Sequence, residues 1–422
     1  MSSCLTGSIQ EFLESLGVTN LSEQVISQDE VVELIKNSKE PVVFRVAEKP
    51  YRFIANLLGS RRHLYHALGA ESDREAYEGL MSSINEPGNL VYDDFSKYFN
   101  FLSSSVMDLP GLRFYKRDGG EYISSSIFIA CLDGVCNASI HRIMINREEG
   151  YAAARIVPRH LYTMLKEKKA LPVAIVIGVH PLILLASAMS PPFGFFELRA
   201  AASLIGGCLR VCKTPNLGLP VPCGASMIVE AILGPERRRE GPFVDLLQLY
   251  DKVREEPVLH VKSIYVNKVY DPLIHAILPG GVEHMLLMGF PREAAIYDSV
   301  RCSVPRVHKV RLTPGGGMWL HAVVAIEKMH DGDGKTAAFA ALAAHPSLKH
   351  VVVVDEDVDP DNPYDVEWAI ATRVQADRDV IVVGNARGST LDPSAEEGLT
   401  AKMIIDATAP LDRKEEFRRP VS

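Results

Sequence analysis

The sequence has no C-x-x-C pair: its seven cysteines, Cys4, Cys131, Cys136, Cys208, Cys212, Cys223 and Cys302, are scattered and odd in number. That argues against a cysteine-based zinc site and predicts reduced thiols in a cytoplasmic protein. It also has no long basic run or stripe. A formal charge of −8 and a pI near 5.9 therefore argue against a nucleic-acid partner. At the amino terminus, "MSSCLTGSIQEFLESLG" has no basic segment ahead of an apolar one and does not read as a secretory signal. Long hydrophobic runs are missing, with one apparent exception. "LPVAIVIGVHPLILLASAM", residues 171–189, approaches the roughly 20 residues that a bilayer requires. Pro172, Gly178, His180 and Pro181 interrupt it, and its β-branched half precedes its Leu-rich half. A buried strand turning into a short helix is the expectation, with no membrane partner. Internal repeats and low-complexity tracts are absent as well.

What is present is an ordinary globular composition, 47% hydrophobic and 23% charged over 422 residues. That length predicts two or three domains. Helix-like and strand-like pieces alternate first, including "SIQEFLESLG", "DEVVELIKNS", "PVVFRVA" and "DREAYEGLMSSI". Short β-rich runs punctuated by Gly, Pro and Asp follow, and predict a barrel or strongly bent sheet. From about 305 onward "HAVVAIEK", "KTAAFAALAAH", "HVVVVDEDV", "DVEWAIATRV" and "DVIVVGN" alternate strand with helix, the pattern of a parallel or mixed sheet with covering helices. The expected fold class is α/β (α+β), divided at 1–110, 111–300 and 301–422. The polar tail after 400 is placed to dock on a neighbour.

Two stretches imitate ligand loops. In "VVVVDEDVDPDNPYD", Asp355, Asp357 and Asp359 have the first spacings of a calcium loop, but Pro360 occupies the glycine position and Val366 the twelfth. A strand end running into a turn fits better. "TPGGGMW" lacks phosphate-loop spacing and precedes a strand, so it reads as a turn.

Three stretches resist a purely structural explanation as a group: "CNASIHRIMINREEGYAAARIVPRH" (136–160), "SAMSPPFGFFELRAAASLIGG" (187–207) and "ERRREGPFVD" (236–245). Taken singly, Asn137 could cap a turn, His160 could start a helix, Glu197 could sit at a helix N-terminus, and Glu240 and Asp245 could be solvated. Together, Asn, His and Glu are donors suited to a hard or borderline divalent ion. Glu240 and Asp245 flank a turn that can aim both carboxyls into one cleft near Arg142, as proton transfer requires.

These stretches resemble the UbiD family of decarboxylases, which use prenylated FMN. The family's Asn, Ile-x-Arg and Pro-x-His pattern is matched by Asn137, Ile140, Arg142, Pro158 and His160. Its Ser-x-Met, Pro and Glu segment is similar to Ser187, Met189, Pro192 and Glu197, with Ser190 replacing a proline. Its Glu-Gly-Pro-Phe signature appears as Glu240–Asp245 with Val244 for a glycine, and Lys402 precedes "DAT". The resemblance covers roughly residues 40 to 410. It implies an N-terminal α/β domain, a central split β-barrel that binds the flavin and a C-terminal α/β domain. Asn137, His160 and Glu197 would hold Mn2+ against the flavin phosphate, with K+ nearby. Ile140, His141, Arg142, Arg155, Ile156, Val157, Pro158, Arg159, Ser187, Ala188, Met189 and Lys402 would line the cofactor. The implied chemistry is addition of the modified flavin to an α,β-unsaturated acid, loss of carbon dioxide and protonation by Asp245, with Arg142 and Glu240 orienting the substrate carboxylate.

Overall likeness points to the archaeal branch that turns trans-anhydromevalonate 5-phosphate into isopentenyl phosphate. An aromatic or quinone-precursor acid, or a non-catalytic flavin carrier, are the alternatives. A phosphorylated substrate would give Arg237, Arg238 and Arg239 a purpose at the mouth of the site, where a solvated turn is the plainer reading. The implied partners are a flavin prenyltransferase that supplies the cofactor and further copies of the chain, as a dimer or hexamer.

Overall fold

The computed structural model describes residues 4–18, 21–396 and 398–420. They form two compact units, one of the described residues up to Ala70 with Ser82–Leu287, the other of Glu71–Met81 with the described residues from Met288 onward.

The first unit is built on a sheet of nine strands among the described residues. Its path runs Glu121–Ile123, Ile143–Asn146, Tyr151–Ala154, Arg254–Asn267, Met227–Glu240, Leu171–Ile177, Ile127–Leu132 and Val135–Ile140, and Phe99–Ser103 pairs with Arg254–Asn267. Neighbours are antiparallel throughout. Met227–Glu240 and Arg254–Asn267 are each 14 residues long, longer than the short runs expected. Their pairing shifts register at Glu230/Ala231 and Leu233/Arg237, and such bulges bend a long ribbon. The arginines of "ERRRE" are therefore not in a turn. They continue a strand beyond a bulge, with Arg238 opposite Glu256 and Arg239 opposite Glu255, and the Arg238 guanidinium pairs with Glu236 on its own strand at 2.9 Å.

A core cluster running through Phe44, Phe53, Phe128, Ile143, Ile175, Val229 and Ile264 ties this sheet to a smaller one of Glu23–Ile26, Val42–Val46, Arg52–Ala55 and Ile274–His275. Helix Ile9–Ser15 starts at a capping box of Ser8 and Glu11. The membrane-like segment is the expected strand and helix, Leu171–Ile177 and Pro181–Ala188. Between them Gly178 has φ +71°, and a Cβ there would lie 2.2 Å from the Leu273 carbonyl oxygen. His180 then caps the helix by accepting from the Leu182 amide, and Pro181 occupies its first turn. No helix among the described residues is long and apolar enough to cross a membrane.

The second unit holds a mixed sheet ordered Val307–Leu312, His321–Ile326, His350–Asp355, Leu399–Ala407, Val380–Arg387, the middle three parallel and both outer pairings antiparallel. Val323, Ala325, Val352, Val354, Ala369 and Ala407 form its core. Asp355 ends a strand and accepts from Arg373 (2.8 Å) and the Ala409 amide (2.7 Å), as a strand end rather than a calcium loop. The tail docks on its own unit: Arg373 donates to Phe417 O (3.1 Å), and Lys414 pairs with Glu356 (2.8 Å).

Reduced thiols are not what the structure shows. Cys4 is bonded to Cys208, Cys131 to Cys136 and Cys212 to Cys223, leaving Cys302 free and exposed. Cys131 and Cys136 face each other across a hairpin, and Cys4 meets a partner 204 residues away. A search for C-x-x-C spacing is blind to both arrangements.

Candidate active site

The hairpin Ile127–Leu132/Val135–Ile140 turns at Asp133-Gly134, both with positive φ, the preferred chemistry for a two-residue hairpin. Alternation along the second strand and just past it puts Asn137, Ser139 and His141 on one face. Asn137 and Glu197 are both buried. Asn137 Nδ2 donates to Glu197 Oε1 at 2.8 Å, and the Ala138 N–H donates to Glu197 Oε2 at 2.7 Å. Glu197 opens the helix Glu197–Leu204. Burial pushes its carboxyl up to about 7 against the bonds that favour its charge.

His160 starts helix His160–Lys168. Its ring meets Phe193 edge to face, with centroids 5.3 Å apart, and burial together with Arg159 keeps it neutral. It makes no hydrogen bond to Asn137 or Glu197, so the structure joins two of the three expected ligands directly. The remaining segments converge by other contacts. The Arg155 N–H donates to Arg142 O (3.1 Å), Arg155 pairs with Glu256 (2.6 Å), and the Ile156 N–H donates to Glu256 (3.3 Å). Beyond Val157 and Pro158, the Arg159 guanidinium donates to Ser190 Oγ at 3.0 Å. That bond joins the 155–159 stretch to the segment holding Ser187, Ala188 and Met189. Ile140 pairs with Ile127, and Ser187 donates to Ile183 O (2.9 Å). Lys402 belongs to the second unit, where Pro346 O and Leu348 O hold its ammonium at 2.7 Å each.

Arg142 is the electrostatic centre. Its Nε and Nη2 donate to Glu240 at 2.8 and 3.0 Å, Nη1 to Asp245 at 2.7 Å, and Nη2 also to Asp251 at 3.0 Å. Its guanidinium lies 4.4 Å from the Phe243 ring centroid. Burial opposes its charge, but the three carboxylates outweigh it and strengthen its hold on the proton. Asp251 is shared with Arg254 (2.6 Å). Three carboxylates therefore meet two guanidiniums, Arg142 and Arg254. Asp245 is the most accessible, its side chain 17% exposed against 0% for Glu240 and 4% for Asp251.

Sequence reasoning missed Asp251, Arg254, Asp118 and His284. Asp251 pairs with Phe243 across a two-strand ribbon, and its signal was the acidic residue closing "FVDLLQLYD". Asp118 Oδ2 accepts from the Phe114 and Tyr115 amides (3.0 and 2.8 Å), while Oδ1 is buried without a partner. Burial raises its carboxyl to about 6. His284 Nδ1 accepts from the Gly280 N–H (3.1 Å), and the ring, kept neutral by burial, faces Asp245, Arg142 and Glu283.

The 3-octaprenyl-4-hydroxybenzoate carboxy-lyase (UbiD) Rift-related domain profile matches residues 100–282, and the C-terminal domain profile matches 285–407. The chain belongs to the UbiD family. It is 48% identical over 412 residues to an anhydromevalonate phosphate decarboxylase of Aeropyrum pernix, covering 96% of this chain and 93% of that one. It is also 40% identical to one of Methanothermobacter thermautotrophicus, over 97% and 99% of the two chains. Among solved structures, the UbiD-class enzyme HmfF from Pelotomaculum thermopropionicum in complex with FMN superposes with a TM-score of 0.90 at 34% identity, covering 98% of this chain and 96% of that one. The UbiD fold expected from the sequence is thus the fold found.

Proposed function

We propose that this chain is a prenylated-FMN-dependent decarboxylase converting trans-anhydromevalonate 5-phosphate to isopentenyl phosphate and carbon dioxide. The observation that carries the reading is Arg142 gripped by Glu240, Asp245 and Asp251, in a chain 40–48% identical to archaeal relatives of that name. HmfF, its structural neighbour, is described with FMN and, in an evolved dimeric form, with prenylated FMN, which supports a flavin here.

The residues present fit the group. Glu197 is a buried carboxyl touched only by an amide and backbone N–H groups, so a cation is what would keep it charged. His160 offers an unbonded neutral imidazole, the form a metal takes. Asn137, His160 and Glu197 would hold Mn2+, with K+ near, and the 140–142, 155–159 and 187–189 segments would line the flavin. When bound, the flavin supplies the sink for the electron pair released as carbon dioxide leaves.

The chain's own groups do the rest. Arg142 orients the substrate carboxylate, Glu240 fixes Arg142 from its buried side, and Asp245 delivers a proton to the carbon that carried the carboxylate. The same reading assigns a flavin prenyltransferase as supplier of the cofactor, a cytoplasmic location, and assembly as a dimer or hexamer.

Expression without an adequate prenyltransferase should give protein with plain FMN or none and no turnover. Co-expression should restore carbon dioxide release from the phosphorylated acid. Robust turnover with unmodified FMN sinks the cofactor assignment, and turnover confined to aromatic acids sinks the substrate.

A further inference from the structure

Behind Asn137 three contacts run in line. In the structure Asn137 Nδ2 donates to Glu197 Oε1 at 2.8 Å and Asn137 Oδ1 accepts from Ser139 Oγ at 2.9 Å; Ser139 Oγ is also 2.9 Å from His141 Nε2, while His141 Nδ1 is 3.0 Å from Arg155 O. The far end fixes the protons. A carbonyl oxygen only accepts, so Nδ1 must carry hydrogen. The ring is buried beside Phe128 (centroids 5.3 Å). The charged side chains facing it, Arg155 and Arg159, are both cations, so a second proton is disfavoured, as the fall to about 4 reflects. Nε2 is then an acceptor and the Ser139 hydroxyl must donate to it. The Ser139 oxygen can therefore only accept from Asn137, and the amide NH2 alone can donate.

The two ends of an amide have the same shape, so this proton count decides which end faces which partner. It reverses the amide, turning the Asn137 carbonyl oxygen toward Glu197 Oε1 in place of the Nδ2 that stands there at 2.8 Å. Two facing oxygens repel unless a cation or a proton sits with them.

We infer that Ser139 and His141 are positioning residues, a relay from the Arg155 carbonyl that aims the Asn137 oxygen and makes Asn137 with Glu197 a ligand pair for a hard divalent cation. The inference rests on reading Asn137 and Glu197 as ion ligands. It gives His141 a place behind the metal pair rather than along the flavin.

The test is Mn2+ titration of protein stripped of ion and flavin, following free Mn2+ by electron paramagnetic resonance. Ser139→Ala and His141→Phe should each weaken binding about 10- to 100-fold, the usual effect of removing a group that orients a ligand. Ser139→Thr, which keeps the hydroxyl, should bind like wild type. The double variant should be no weaker than the weaker single one, because either change breaks the same chain. Nitrogen-15 NMR of His141 in the wild-type protein should show the Nδ1–H tautomer with Nε2 unprotonated. Wild-type affinity in Ser139→Ala, or an Nε2–H tautomer, overturns the relay. No Mn2+ binding by the wild-type protein overturns the ion assignment instead, and the tautomer then still decides the relay by itself.

Discussion

Among the three carboxylates on Arg142, accessibility separates the roles. Glu240 has no exposed side-chain surface and Asp251 is tied to two guanidiniums, so neither can reach a substrate without dismantling the cluster. Asp245 accepts from one Arg142 nitrogen and from the Leu246 N–H (2.8 Å), which leaves it free to turn toward a reacting carbon. Asp245→Asn should therefore retain flavin and fold yet lose on the order of 10²-fold or more in turnover, the scale of general acid catalysis. It should also cease to exchange product hydrogen with deuterium from solvent. Flavin-loaded variant with wild-type exchange would exclude Asp245 as the donor.

Asp118 makes a different kind of prediction. Its folded value, about 6, lies above the 3.8 usual for an aspartate, so its favourable contribution is complete below pH 3.8 and is lost as pH rises toward 6. Asp118→Asn removes that loss. The stability of the variant relative to wild type should climb between pH 4 and 6 by roughly 3 kcal/mol and then level, at about 1.4 kcal/mol per unit. Urea unfolding across that range measures it, and a flat difference refutes it.

At the scale of elements, Gly119 shows how the acid-bearing strand end is held. Its N–H donates to Pro242 O at 2.9 Å, and a Cβ there would stand 2.0 Å from the Gly241 carbonyl oxygen. Two backbones are in contact directly after Glu240. Gly119→Ala must push them apart, and because Glu240 grips Arg142 the shift should lower turnover at least tenfold with cofactor retained, the scale on which a misplacement of about 1 Å is felt. Unchanged kcat with normal flavin content counts against this coupling.

This contact was invisible in the sequence, where residues 119 and 241 are far apart. What was legible followed local rules: the strand-to-helix reading of 171–189 from its β-branched and Leu-rich halves, and the alternation after 305 from its apolar runs. The bulge that carries Arg237–Arg239 along a strand was not legible, because Gly234 and Pro235 look like turn residues when the partner strand is unknown. Similarly, the ordered motifs brought Asn137, Arg142, Glu197, Glu240 and Asp245 to notice. Asp118 and His284 enter the site only through tertiary pairing, which leaves no local pattern.

For the whole molecule, the disulfides matter most, since they contradict the reading from cysteine spacing. They do not by themselves assign a compartment, because intracellular proteins of hyperthermophilic archaea carry disulfides as well. Cys4–Cys208 closes a loop spanning 204 residues, whereas Cys131–Cys136 spans 5 and Cys212–Cys223 spans 11. Loop closure removes unfolded-state entropy in proportion to the logarithm of loop length, so the first bond should stabilise by about 5 kcal/mol and the shortest by about 2. Cys4→Ser should thus lower the unfolding midpoint more than Cys131→Ser, and a reductant should lower the wild-type midpoint but leave the fully substituted variant unmoved. Thiol titration decides the matter first. Unfolded without reductant, the chain should show one reactive thiol, Cys302, and after reduction all seven. Seven reactive thiols before reduction would restore the expectation drawn from their spacing and remove the disulfides as a source of stability.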